Sequence, residues 1–147
     1  CEDGFGFEFD SNNTPIRMPH LGNVIIKNNV EIGASCTIAR GTIANTIIEN
    51  NVKIDDNVTI AHNCKIGENT IIVSQTLIGG SVVIGKNVWI APNVSIIQKV
   101  FIADNSLIGI GSIVTKSIMK KSTIMGLEAI NIKDLIKVKK RIKYQND

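Results

Sequence analysis

Residues 52–90 read VKIDDNVTIAHNCKIGENTIIVSQTLIGGSVVIGKNVWI, with an isoleucine at every sixth position. The same spacing extends from Ile48 to Val114. An α-helix has a period of about 3.6 residues and a strand a period of about 2, so neither explains it. A buried aliphatic at every sixth residue is typical of a parallel β-helix. We therefore predict an all-β solenoid of about five triangular coils, with three hexapeptides in each coil.

The other positions of the hexapeptide predict a short strand and a tight corner. Two residues before each isoleucine the side chain is small or β-branched, which suits a second inward position on a pleated strand. Three residues after the isoleucine the chain favours asparagine, which accepts the left-handed backbone conformation of a turn. These asparagines are Asn51, Asn57, Asn63, Asn69, Asn87, Asn93 and Asn105, and Gly111 ends the series.

One interruption of the repeat predicts a loop. Ile38 and Ile48 are ten residues apart, so residues 40–45 contain four extra residues at one corner. Insertions in solenoids map to one face, which is often the binding face. Around the repeat we predict three parts: residues 1–23, an amino-terminal loop or hairpin excursion; residues 24–118, the β-helix domain; and residues 119–147, a transition followed by a short basic amphipathic helix at 132–143.

Composition limits the class of protein. No run of about eighteen apolar residues is present, so we expect no transmembrane helix. The net charge of +3 is too small to argue for a nucleic-acid partner. Cys36 and Cys64 both take the small inward position, which favours core thiols and a reducing, cytoplasmic setting. The chain begins with Cys1 rather than Met, so we expect it to be a fragment or a processed form of a longer protein.

His62 is the strongest candidate for chemistry. It is one of two histidines and lies at a corner, where side chains point away from the core. An imidazole there can act as a general base toward an amine or hydroxyl nucleophile, and the alternative is an ordinary surface or interface histidine. Asp55 or Asp56, one hexapeptide earlier, could orient it across a subunit interface or could be a solvated corner carboxylate.

Two further corners depart from the repeat. Lys99 replaces the usual asparagine, and it either contacts a ligand phosphate or is surface variation. Gly80, with the glycine before it, lacks a side chain where other corners carry one, which either opens a groove for a thioester arm or eases the turn. Two histidines in total are too few for a three-histidine zinc site, so we predict no metal and argue against a γ-carbonic-anhydrase-like enzyme.

Several blocks resemble the bacterial left-handed β-helix acyltransferases, and among these the N-acyltransferases of lipid A synthesis. The resemblance covers about residues 2–118. It is carried by DGFGF from Asp3, IRMPHLGNVII from Ile16, VEIGA from Val30, TIARG from Thr37, VKID from Val52, IAHN from Ile60 and IGENT from Ile66.

The resemblance implies a left-handed homotrimer with active sites between subunits. His62 matches the catalytic base and Asp55 a carboxylate of the same site, while Phe5 and Asn63 lie in matching blocks and are expected at the substrate or donor site. Backbone N–H groups near Gly80 would stabilise an oxyanion. The departures are that Lys99 stands where the family has a second histidine and that Ala39 replaces an aspartate.

The segment around Lys116 is more similar to sugar acetyltransferases, in which it lies beside the CoA nucleotide. We therefore expect no permanently bound cofactor and an acyl-CoA or acyl-carrier-protein thioester as co-substrate. The expected acceptor is the amino group of a nucleotide-linked sugar for lipid A, O-antigen or capsule, and the basic C-terminal helix would dock an acidic carrier protein. The alternatives are an O-acetyltransferase and a non-catalytic trimeric scaffold or binding module.

Overall fold

The computed structural model describes residues 3–126, which contain no helix, and residues 24–124 form a parallel β-solenoid. A typical hexapeptide gives a two-residue strand and then a four-residue corner. Paired residues such as Ile72 and Ile90 are eighteen positions apart, which is one coil. The predicted all-β parallel architecture and the three-hexapeptide coil are confirmed.

The strands stack into three flat faces. The first face contains β3 (Val24–Ile26), β6 (Thr46–Ile48), β9 (Lys65–Ile66), β12 (Val83–Ile84) and β15 (Phe101–Ile102). The second contains β4 (Glu31–Ile32), β7 (Lys53–Ile54), β10 (Ile71–Ile72), β13 (Trp89–Ile90), β16 (Leu107–Ile108) and β18 (Thr123–Ile124). The third contains β5 (Thr37–Ile38), β8 (Thr59–Ile60), β11 (Leu77–Ile78), β14 (Ser95–Ile96) and β17 (Ile113–Val114).

The number of coils differs from the prediction. The second face has six strands, so the solenoid has about six coils rather than about five. The additional strand is β18, where Ile124 pairs with Ile108 although the regular spacing of six has ended. The chain returns to the stack there because pairing covers an exposed strand edge. The basic helix predicted for residues 132–143 lies outside the described residues.

Stacked isoleucines fill the interior of the prism. The isoleucines from Ile48 to Ile108 that lie six residues apart are at most 4% exposed. Small residues two positions before them, such as Val52 and Thr70, are fully buried. This core leaves the corners as the places where side chains can reach solvent or a ligand.

The corners adopt the predicted left-handed backbone conformation. All seven corner asparagines named above have φ between 54° and 60°, and Gly111 has φ of 65°. Gln75, Ser81 and Lys99 share this conformation with φ of 60° to 61°, although their side chains do not favour it. The geometry of the coil therefore sets the backbone at these three corners.

Two irregular segments meet at one edge of the solenoid. The loop at residues 40–45 connects β5 to β6, and strands across it pair 22 residues apart, as Ile26 does with Ile48. An antiparallel hairpin, β1 (Phe7–Phe9) with β2 (Pro15–Arg17), precedes the solenoid. Both segments lie near the corner that carries His62, which we call the His62 corner.

Candidate active site

His62 follows β8 at the corner between the third and first faces and is half-buried. Gly80 takes the same place one coil later. A Cβ built on Gly80 would lie 2.7 Å from Nε2 and 2.8 Å from Cε1 of the His62 imidazole. The ring therefore rests against the backbone of Gly80, and only glycine leaves room for it.

Asn63 determines which nitrogen of His62 carries the proton. Its Oδ1 lies 2.9 Å from Nδ1 of His62 and accepts hydrogen bonds from the backbone N–H and the hydroxyl of Thr42, at 3.1 Å and 3.0 Å. A backbone N–H only donates, so this atom of the amide is the oxygen. In neutral His62 the hydrogen is therefore on Nδ1, and Nε2 presents a lone pair beside Gly80.

The loop at residues 40–45 is attached to the same asparagine. Besides its contacts with Thr42, Asn63 donates from Nδ2 to the carbonyl of Ala44 at 3.3 Å. The four-residue insertion thus packs directly beside His62, at the corner where an inserted loop is expected to contribute to binding.

A second histidine, His20, lies against His62. The two ring centroids are 5.5 Å apart and the rings are inclined at 71°. A Cβ on Gly4 would meet Nε2 of His20 at 2.6 Å and Cβ of His62 at 3.1 Å. The hexapeptide register does not reach His20, so its place beside His62 was not predicted, although His20 lies in the IRMPHLGNVII block that carries the family resemblance.

A cavity of about 270 Å³ opens at the His62 corner. Phe5 forms one wall, is 84% exposed and stacks edge-to-face on Phe7 with centroids 4.9 Å apart. The lining is completed by Ala39, Thr59, Ile60, Ala61, His62, Gly80 and Gln98. The structure thus brings together Phe5, His62 and Gly80 of the predicted site.

A larger groove, of about 390 Å³, lies at the corner between the first and second faces. It is lined by Glu49, Asn50, Lys65, Gly67, Glu68, Val83, Ile84, Gly85 and Lys86. It contains no side chain that ordinarily exchanges a proton near neutral pH, so we place the candidate chemistry in the smaller cavity at His62.

Lys99 and Lys116 lie further along the His62 corner. The backbone N–H of Lys99 donates to the carbonyl of Gly80 at 2.8 Å, and its side chain is exposed. Lys116 is exposed and repeats the position of His62 three coils later, about 14 Å along the stack at the usual strand spacing. Neither lysine lines the cavity.

Asp55 lies at a different corner, between the second and third faces. Its carboxylate is exposed and accepts a hydrogen bond from the backbone N–H of Ser74 at 3.2 Å. Strand β8 separates it from His62 along the chain. Within one chain the structure therefore does not bring Asp55 and His62 together.

Two arginines surround one carboxylate near the amino-terminal segment. Oδ1 of Asp3 is 3.2 Å from Nε of Arg40, without hydrogen-bond alignment, and Oδ2 is 4.0 Å from Nη2 of Arg17. Arg40 opens the inserted loop and Asp3 precedes Gly4. Among these three side chains of the described residues, the two guanidinium groups leave one excess positive charge beside the site.

The buried thiol of Cys64 does not contribute to the candidate chemistry. Burial raises the pKa of the Cys64 thiol to about 11, so the thiol remains protonated at neutral pH and serves as a small core residue. Within residues 3–126, no group of three or more His, Cys, Asp or Glu side chains is placed to hold a metal ion. Nor does any helix in that range have the length and apolar character needed to cross a membrane.

Part of the repeat matches the model of a known protein family. "Bacterial transferase hexapeptide (six repeats)" matches residues 45–80, which include His62 and Gly80. The chain carries a hexapeptide-repeat domain.

Curated relatives of this hexapeptide-repeat chain are acyltransferases by name. A UDP-3-O-acylglucosamine N-acyltransferase of Chlorobium chlorochromatii is 45% identical over 69 residues, covering 47% of this chain and 19% of the relative. UDP-3-O-acylglucosamine N-acyltransferase 2 of Legionella pneumophila is 46% identical over 70 residues, covering 48% and 20%. The matched segments span about a fifth of the length of these relatives.

Solved structures share the solenoid. The UDP-N-acetylglucosamine acyltransferase of Arabidopsis superposes with a TM-score of 0.68 at 31% identity, over 79% of this chain and 42% of that one. A variant of GDP-perosamine N-acetyltransferase from Caulobacter crescentus, in complex with CoA and GDP-perosamine, gives 0.55 at 17% identity, over 76% and 56%. The second likeness concerns the fold alone.

Proposed function

We propose that this chain is the catalytic solenoid of an acyltransferase that moves an acyl group from a thioester to the amino group of a nucleotide-linked sugar. The observation that carries the proposal is the imidazole of His62, whose Nε2 lone pair faces a cavity beside Gly80. The sequence relatives named UDP-3-O-acylglucosamine N-acyltransferase support the reaction class.

His62 acts as the general base in the proposed reaction. As the amine nitrogen attacks the thioester carbonyl, Nε2 takes its proton, and the hydrogen bond from Nδ1 to Asn63 stabilises the imidazolium that forms. The C–N bond forms and the C–S bond breaks. The imidazolium then returns the proton to the departing thiolate, so that amide and thiol are the products.

Backbone donors near Gly80 stabilise the oxyanion that develops on the carbonyl. The N–H of Gly80 donates no hydrogen bond within residues 3–126, whereas its carbonyl accepts one from Lys99. A backbone donor that is already held in place costs no reorganisation during the reaction. Without a side chain at Gly80, the thioester can approach both this N–H and His62.

The donor is CoA or an acyl carrier protein, and both carry phosphate groups. Lys99 and Lys116 lie on the same corner as His62, so we propose that they receive this phosphate while the thioester reaches the cavity. Phe5 offers an exposed aromatic surface at the mouth for the acyl chain or the sugar. No cofactor remains bound between turnovers.

The acceptor is anionic because a nucleotide-linked sugar carries a diphosphate. Within residues 3–126, Arg17 and Arg40 share the carboxylate of Asp3, and the excess positive charge of these three side chains lies beside the site. We propose that they attract the acceptor. Acylation of a hydroxyl instead of an amine would use the same base and is the alternative reaction.

The assembly completes the site. We propose a homotrimer of left-handed solenoids in which Asp55 of one subunit approaches His62 of the next, because the two residues lie at successive corners of one chain. The free thiols of Cys36 and Cys64 suit a reducing cytoplasm. We also propose that the basic residues of 132–143, which lie outside the described part of the chain, attract an acidic carrier protein.

The test is an acylation assay with the full chain. Acetyl-CoA and a hydroxyacyl carrier protein are each offered with UDP-3-O-acylglucosamine and with a GDP-linked amino sugar, and mass spectrometry measures the acceptor. We expect one pair to react and His62→Ala to lower kcat roughly 100- to 10,000-fold, the usual contribution of a general base. Lys86→Ala serves as the control, because Lys86 lies two residues after its buried isoleucine, as His62 does, but at a different corner.

Two results would overturn the proposal. Full activity in folded His62→Ala would exclude the general-base role. Binding of the nucleotide sugar without any acyl transfer from either donor would favour the non-catalytic binding module.

A further inference from the structure

His20 is a buried imidazole that the proposed reaction does not use. It is 4% exposed, and its ring is covered by glycines on the amino-terminal segment. A Cβ on Gly4 would lie 2.6 Å from Nε2, and one on Gly6 would lie 2.8 Å from Cε1. The backbone of this segment therefore encloses the imidazole at a distance that only glycine permits.

One hydrogen bond orients the His20 ring. Nδ1 lies 3.1 Å from the carbonyl oxygen of Met18, which can only accept, so Nδ1 carries the hydrogen. Nε2 has no hydrogen-bond partner in the described part of the chain. A buried acceptor without a partner is unfavourable, so the hydrogen bonds of His20 do not explain why it is buried here.

The ring of His20 packs against the ring of His62, the candidate base. His62 has Gly80 on one side, Asn63 at Nδ1, and His20 inclined at 71° with its centroid 5.5 Å away. A half-buried imidazole with a hydrogen bond at one nitrogen can still rotate about its Cα–Cβ bond. The His20 ring, packed edge-to-face against it, restricts such movement on its side.

We propose that His20 is a positioning residue that holds the imidazole of His62 in its reactive orientation through ring packing. This inference rests on the proposed role of His62 as general base. In this proposal, Gly4 and Gly6 of the amino-terminal segment pack against His20 and hold it in place.

Two substitutions separate packing from hydrogen bonding. His20→Phe keeps a planar ring but loses the bond to Met18, whereas His20→Asn keeps a donor near the position of Nδ1 but loses the ring. If packing positions His62, His20→Asn lowers kcat roughly 10- to 100-fold with KM changed less than about threefold, and His20→Phe keeps most of kcat. Val88→Ala, a core substitution far from this corner, reports the effect of lost stability alone.

A second readout does not depend on turnover. The chain contains two histidines, so either variant leaves His62 as its single imidazole. With ¹³C-labelled histidine, we expect one narrow ring signal from His62 in His20→Phe and a broadened or doubled signal in folded His20→Asn.

The outcomes distinguish this inference from the proposed function. Equal kcat and equal ring signals in both His20 variants would overturn the role of His20. The general-base proposal would still stand in that case if His62→Ala lost activity. Loss of activity in His20→Phe with retention in His20→Asn would also overturn it, because the hydrogen bond would then be the feature that matters. If His62→Ala retains activity, the proposed function fails, and the ring signals still decide whether His20 positions His62.

Discussion

At the scale of single residues, Asn63 connects the solenoid backbone to the imidazole of His62. Its φ of 60° belongs to the turn, and its side chain holds both Nδ1 of His62 and the loop at Thr42 and Ala44. One residue therefore serves two purposes, and a substitution can separate them.

Asn63→Gly should keep the turn and lose the side chain. Glycine accepts positive φ without strain, so the free energy of unfolding should fall by no more than about 1–2 kcal/mol from the lost hydrogen bonds. We expect kcat to fall at least about tenfold because Nδ1 of His62 loses its acceptor. Steady-state kinetics and thermal unfolding measure the two effects.

The matched control is Asn93→Gly. Asn93 has φ of 57° at another corner and is exposed, so its replacement should change neither kcat nor KM. Equal kinetics for the two glycine variants would show that Asn63 acts only in the turn.

At the scale of elements, the loop at residues 40–45 is fitted tightly against the His62 corner. A Cβ on Gly41 would collide with the carbonyl oxygen of Ala44 and would lie 2.9 Å from Nδ2 of Asn63. The loop can thus keep its position only while residue 41 lacks a side chain.

Gly41→Ala should displace this loop and lower activity. The collision is with backbone, so we expect a stability loss of about 1–3 kcal/mol, together with a fall in kcat/KM of about tenfold as the loop leaves Asn63. Gly85→Ala is the control: its Cβ would approach the backbone nitrogen of Asp104 to 2.7 Å at a different corner. It should cost similar stability, measured by denaturant unfolding, and leave kcat/KM unchanged.

A loss of activity in Gly85→Ala as large as in Gly41→Ala would contradict this assignment. It would mean that strain anywhere in the stack reaches His62, rather than that the inserted loop supports it.

The repeating elements explain which features the sequence could predict. The spacing of six locates each strand and corner, so Gly80 could be placed beside His62 and the loop at 40–45 could be placed at a corner. His20 and Phe5 lie outside the register, and their contacts with the His62 corner depend on how an irregular segment folds back. Asp55 and His62 share the register, yet they lie at different corners, so the proposed pairing would require a second subunit.

The predicted number of coils was too low for a related physical reason. The pattern of isoleucines six apart ends at Val114, whereas pairing of β18 with β16 continues the second face to Ile124. Backbone hydrogen bonds to an exposed strand edge need no particular side chain, so the last coil leaves a weak signal in the sequence.

At the scale of the whole molecule, the second face presents an apolar column to solvent. Ile71 pairs with Trp89 and Trp89 with Leu107, so the three outward side chains stack in adjacent coils. Trp89 is 46% exposed and Leu107 is 38% exposed. Contiguous apolar surface of this kind is typical of a face that packs against another subunit.

We expect this column to form the interface of the proposed homotrimer. The second face ends at the corner that carries Asp55, so packing of this face against the next subunit would bring Asp55 toward that subunit's His62 corner. Light scattering coupled to size exclusion should give a mass of about three times 15.9 kDa.

Trp89→Lys should separate the subunits and reduce acyl transfer together, because it would bury an unpaired charge in the interface. Phe101→Lys is the matched control, since Phe101 is 37% exposed and points outward from the first face. It should remain a trimer with unchanged kcat. A trimeric Trp89→Lys together with a monomeric Phe101→Lys would assign the interface to the first face. A folded, fully active Trp89→Lys monomer would show that each chain holds a complete site and that Asp55 has no part in it.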